Sequence, residues 1–172
     1  MTLQQKFLVV ALISTACALG LAIRLPPASH ERRCGVHGSL ASMIVALLLV
    51  GIVSDTFLRQ AIQIGPLVLA LGVGALRPRL RVAAALPLFT LWLFIMSGIW
   101  IGGLWLILLG IAPSFTGRFS PINMTLTILI GLASITGLIN VFQEGTALGM
   151  SPRVGILLLF AALQPAAMII SF

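Results

Sequence analysis

Apolar residues dominate this chain in long uninterrupted runs, separated by short polar or basic breaks. The runs cover residues 7–23, 39–55, 60–76, 82–112, 122–142 and 154–172. A hydrocarbon core is about 30 Å thick, and about 20 apolar helical residues cross it. Each run therefore reads as one membrane-crossing helix. None shows the in/out alternation of a barrel strand, and only a helix or a closed barrel satisfies its backbone inside a bilayer. The fourth run is the longest, with 31 residues lacking a formal charge and all three tryptophans, Trp92, Trp100 and Trp105. It exceeds one crossing and falls short of two with a turn. One long or tilted helix is the reading, with Gly98, Gly102 and Gly103 as the place for a bend. The expected fold is all-α, a polytopic transmembrane helical bundle of about six spans in one domain, 1–172.

The breaks set the topology. Lys6 precedes the first run, a signal-peptide trait, but further spans follow and a retained helix is expected, ended by Pro26 and Pro27. The next break, residues 24–38, carries Arg24, His30, Glu31, Arg32, Arg33 and His37. Asp55 lies one turn from Arg59, which suggests an interfacial ion pair. Gly65-Pro66 marks a kink in the third run. Arg77, Arg79 and Arg81 form a basic turn. Glu144 is expected in the loop 143–153. Six spans put Arg24, Arg32, Arg33, Arg77, Arg79, Arg81 and Arg153 on one side, and Lys6, Arg59 and Arg118 on the other. The positive-inside rule places the first side in the cytoplasm and both termini outward, in a bacterial inner membrane. Seven spans would keep the same bias, and length favours six.

Composition agrees. Hydrophobic residues make up 60% of the chain and charged residues 8%, against about 25% charged in a soluble domain. The net charge of +7 is explained by loop topology, so the bilayer is the expected partner and nucleic acid is not. Cys17 lies within the first run and Cys34 in the loop after it, too far apart in depth for a disulfide.

Chemistry-bearing residues are few. Ionisable groups at membrane depth are functional candidates by default, and the runs hold almost none, which disfavours a proton-driven transporter. His30, Cys34 and His37 share one loop and form the candidate metal cluster; the alternative is that they are ordinary interfacial residues. A b-type haem needs histidines at mid-membrane depth, where neither histidine lies. Met43, Met96, Met124, Met150 and Met168 are scattered, as gap-filling side chains are. No catalytic triad, zinc-ligand spacing, phosphate loop or dinucleotide-binding glycine pattern is present, so no enzymatic activity is expected.

Helix packing leaves clearer marks. Gly98 and Gly102 form a GxxxG, which permits close backbone approach. Thr127, Gly131, Ser134, Gly137 and Asn140 recur at three- and four-residue spacing, with Leu129, Leu132, Ile135 and Ile139 on the opposite side. The small, polar stripe should face protein and the aliphatic side lipid. Gln60, Gln63 and Gln164 are amides that need partners on neighbouring helices, and Pro165 frees a carbonyl beside Gln164.

From residue 99 to 159 the chain resembles the C-terminal part of the CopD family of bacterial copper-resistance membrane proteins. The resemblance lies in WIGGLW, then RFSPINMTLTILIGLASITGLINVF, then SPRVGILLLF. The family-like positions are Trp100, Gly102, Gly103, Arg118, Phe119, Ser120, Thr136, Gly137, Asn140 and Arg153. The family commonly carries a histidine about two turns before the W-x-G-G, where this chain reads Trp92-Leu93-Phe94. The resemblance implies a membrane protein for copper uptake or resistance, with copper as the one cofactor suggested. The residues themselves suggest a non-catalytic bundle acting through helix packing, an accessory or structural subunit that meets other membrane subunits or itself. A small solute transporter or channel is the third reading.

Overall fold

The computed structural model describes residues 2–24, 35–100, 121–145 and 152–171. Among them are six α-helices and no strand: α1 (Leu3–Ile23), α2 (Gly35–Val53), α3 (Phe57–Leu76), α4 (Arg81–Trp100), α5 (Pro121–Glu144) and α6 (Pro152–Ser171), with a 3-10 turn at Pro78–Leu80. Five segments, in α2 to α6, are long and apolar enough to cross a membrane, and α1 contributes a shorter apolar stretch, Leu8–Ile23. The protein is a multi-pass helical membrane bundle. The second half of the long fourth run, residues 101–112, lies outside the described residues, as do Gly102, Gly103 and Trp105.

Local chemistry explains the ends. α1 opens on a capping box: the Gln5 N–H donates to Thr2 Oγ1 at 3.3 Å and the Thr2 N–H donates to Gln5 Oε1 at 2.8 Å. Two of the donors that a helix start leaves orphaned are thereby satisfied. α2 ends in a Schellman-type turn, in which the Thr56 N–H donates to the Gly51 carbonyl at 3.0 Å. Asp55 takes the left-handed conformation there, with φ 53°, a position that favours glycine but admits aspartate. Gly51 has no room for a side chain, since a Cβ would lie 3.0 Å from Gln60 Cβ and 3.2 Å from Phe57 Cα. The α2–α3 hairpin is closed by that contact. Pro66, Pro87 and Pro165 lie inside α3, α4 and α6, where each deprives the carbonyl four residues back of its usual donor.

Every helix begins one to four residues before its apolar run, and two extensions matter for the site. α2 begins at Gly35, four residues before residue 39, so His37 belongs to its first turn rather than to a loop. α5 runs through Glu144, which is its last residue and is buried, not a loop carboxylate. The cause is the same in both cases, and it is tertiary: these ends are held by each other.

α4 is the central helix. Every residue from 82 to 92 is buried, as expected of a helix that is apolar all round and enclosed by protein. It packs against α1, α3, α5 and α6, and more lightly against α2. The surrounding helices touch in the order α1, α6, α3, α2, α5. On α5 the small stripe faces inward: Gly131, Ser134 and Gly137 are buried and Thr127 and Asn140 half-buried. Leu129, Leu132 and Ile139 are exposed on the other side, with Ile135 half-buried at its edge. In a bilayer that outer face meets lipid.

Candidate functional site

The first residue of α4 and the last residue of α5 form a buried ion pair. An Arg81 Nη2 lies 2.5 Å from a Glu144 carboxylate oxygen, and the two side chains are only 12% and 5% exposed. The other carboxylate oxygen, Oε1, accepts the Val36 N–H at 3.1 Å, across from the start of α2. Arg81 Nη1 is 3.2 Å from His37 Nδ1. A guanidinium has only donors, so Nδ1 accepts and the ring proton sits on Nε2. On the α3 side, a Cβ on Gly74 would lie 3.0 Å from Arg81 Cγ and 3.2 Å from His37 Nε2. Glycine is what lets the Arg81 stem and the His37 imidazole pack against α3.

Both charges stand at the unfavourable end of their own helices. A helix N-terminus carries partial positive charge and its C-terminus partial negative charge. Arg81 opens α4 and Glu144 closes α5, so each is disfavoured by its own helix. Each is favoured by a neighbour. Glu144 sits at the N-terminus of α2 and serves as a cap supplied from another helix, and Arg81 sits at the C-terminus of α5. Nearby, Asn140 Nδ2 donates to Ser39 Oγ at 3.0 Å. A Cβ on Gly35 would lie 2.7 Å from Asn140 Cγ, so the backbone of α2 packs directly on the Asn140 side chain. This constellation joins α2, α4 and α5 at one end, which is also the end of the Arg77–Arg79 turn.

A second constellation joins α3 to α6. Gln63 Nε2 donates to Ser171 Oγ at 2.8 Å, and Gln164 Nε2 donates to the Gln63 carbonyl at 3.0 Å. Gln164 is fully buried. Gln164 Oε1, Gln60 Oε1 and Trp92 Nε1 are buried without a hydrogen-bond partner among the described residues. Replacing Gln164 by leucine removes one interhelical bond and one orphaned acceptor together. We expect a loss of about 1 kcal/mol or less, since such bonds average about 0.6 kcal/mol in membranes. A thermal unfolding series in detergent checks this, and a loss of several kcal/mol would show the amide to be more than a helix joint.

The sequence-predicted residues are distributed as follows. Of the candidate metal cluster, His30 and Cys34 lie outside the described residues. His37 is half-buried on α2 and engaged with Arg81. Among the described residues no three His, Cys, Asp or Glu side chains are grouped to share a metal ion. Gly98 is buried on α4. Ser134 Oγ donates to the Ile130 carbonyl at 2.9 Å and lies 4.0 Å from Met43 Sδ, so it faces α2. Gly137 packs directly on Phe89 of α4. Of the family-like positions, Gly102, Gly103, Arg118, Phe119 and Ser120 lie outside the described residues, and Trp100 is the last residue of α4. Arg81, Glu144, Ser39 and Ser171 are the polar residues that sequence reasoning missed. A basic residue opening an apolar run and an acidic one closing another, each at the wrong helix end, was the signal available. No protein-family model, curated protein or solved structure matches this chain.

Proposed function

We propose that this chain is a non-catalytic, multi-pass membrane protein that works through helix contacts, as an accessory or structural subunit of a larger membrane complex. The observation that carries the reading is where its buried polar side chains go. Arg81 and Glu144 join α4 to α5, and Glu144 also holds α2. Asn140 and Ser39 join α5 to α2. Gln63, Gln164 and Ser171 join α3 to α6. These polar side chains are engaged in fixing one helix to the next. The inward-facing stripe on α5 is covered by α2 and α4 of the same chain, so a partner would meet the outer faces instead. The seven-to-three distribution of basic residues supports an inner-membrane orientation with the basic end in the cytoplasm and both termini outward.

One observation favours a second reading, a small solute transporter or channel. Gln164 Oε1, Gln60 Oε1 and Trp92 Nε1 are buried with no partner among the described residues, and such groups often hold ordered water or a polar ligand. Native mass spectrometry of the protein, extracted gently from its own membrane, separates the readings. The accessory role requires co-migration with heavier subunits, free of copper. A lone chain carrying stoichiometric copper would replace it with the CopD-like reading. A lone chain with nothing bound would leave the solute path as the better account.

A further inference from the structure

We infer that the Arg77–Arg79 turn, with Leu76 beside it, is a binding site for the head group of an anionic phospholipid. Arg77 and Arg79 flank Pro78 on the 3-10 turn between α3 and α4, and both are exposed. Neither makes a side-chain hydrogen bond or ion pair among the described residues. The turn is held at both ends: the Arg77 N–H donates to the Val73 carbonyl at 2.8 Å, and the Leu80 N–H donates to the Arg77 carbonyl at 2.9 Å. Two guanidinium groups are therefore presented from a fixed backbone.

Among the described residues, no carboxylate at this end is left to neutralise the turn. The described carboxylates are Asp55 and Glu144. Asp55 lies at the other end of α2, and Glu144 is buried and already paired to Arg81. Arg77 and Arg79 therefore face outward with no described carboxylate beside them. Guanidinium groups match phosphate oxygens in a forked geometry, and basic residues next to a membrane span concentrate anionic lipid.

Leu76 decides between a lipid and a free phosphate ion. It is 86% exposed and directly precedes Arg77 at the end of α3. An apolar side chain next to two cations, at the end of a membrane-crossing helix, is suited to the boundary between acyl chain and head group. A soluble phosphate would use the cations and gain nothing from the leucine. This inference does not depend on whether the chain has protein partners.

The test titrates the full chain in neutral detergent with dioleoylphosphatidylglycerol or dioleoylphosphatidylcholine, counting bound lipid by native mass spectrometry. The anionic lipid should bind about tenfold or more tightly than the zwitterionic one, and added salt should weaken it. The R77Q/R79Q variant should lose that preference, while R77K/R79K keeps most of it. Unchanged thermal unfolding of both variants confirms that only the surface has changed. Equal binding of the two lipids, or an R77Q/R79Q variant that still prefers the anionic lipid, would overturn the inference. So would inorganic phosphate binding as tightly as the lipid does.

Discussion

Replacing Glu144 by alanine is expected to destabilise the bundle by about 3–5 kcal/mol, the usual cost of breaking a buried ion pair by removing one partner. The carboxylate does two jobs at once, neutralising Arg81 and accepting the Val36 N–H. Its loss leaves a guanidinium buried without its counter-charge, at the end of α4 where the helix dipole already disfavours it. It also leaves the first turn of α2 without its cap. Glu144→Gln should cost less than alanine, because an amide oxygen can still accept from Val36. The double variant R81M/E144M should recover much of the loss, since a well-packed apolar pair of similar volume is often as stable as a buried ion pair. Reversible unfolding in mixed micelles, run as a double-mutant cycle, measures each term. If Glu144→Ala costs under about 1 kcal/mol, the pair does not hold the three helices together.

Gly137→Ala is the second large effect, an expected loss of about 1–3 kcal/mol from overpacking. A Cβ at this position would lie 2.5 Å from two ring carbons of Phe89, well inside van der Waals contact. Phe89 is fully buried on the central helix, so its ring has nowhere to go and α5 must move off α4. Leucine at 137 should be worse than alanine. Shortening the obstacle should help: Phe89→Leu ought to destabilise the wild type but cost less in the Gly137→Ala background. Gly155 is the control, because nothing lies within 4 Å of its would-be Cβ. Alanine there should be neutral or stabilising by up to about 1 kcal/mol, following intrinsic helix propensity. Equal effects at 137 and 155 would show that the Phe89 contact does not limit helix approach.

Much of this fold was legible in the chain because hydrophobicity is a local property. The continuous apolar runs predicted membrane helices without reference to any contact. The stripe on α5 was legible for the same reason: small and polar residues at helical spacing mark one face, and the bilayer demands aliphatics on the other. The Gln63 and Gln164 amides announced a need for partners, and the fold supplies them on facing helices. The central position of α4 was not legible this way, because α2 is at least as apolar and lies in the surrounding ring.

The ion pair was not legible, and Glu144 shows why. By its own helix it is a carboxylate at the wrong end, which reads as a loop residue. It becomes favourable only beside Arg81 and the start of α2, which lie 63 and 108 positions away along the chain. The same separation hid the true start of α2: the residues from Gly35 to Gly38 hold helix because Glu144 caps them. His37 likewise read as a loop residue and is a helix residue against Arg81. The sequence by itself determined the medium, the helical class and the direction in which the faces of α5 point, since transfer of apolar surface out of water depends on composition and period alone. Which charge meets which charge, and which glycine admits which neighbour, was decided only by the tertiary structure. Those terms are pairwise and fall off over a few ångströms, so they exist only once distant segments have been brought together.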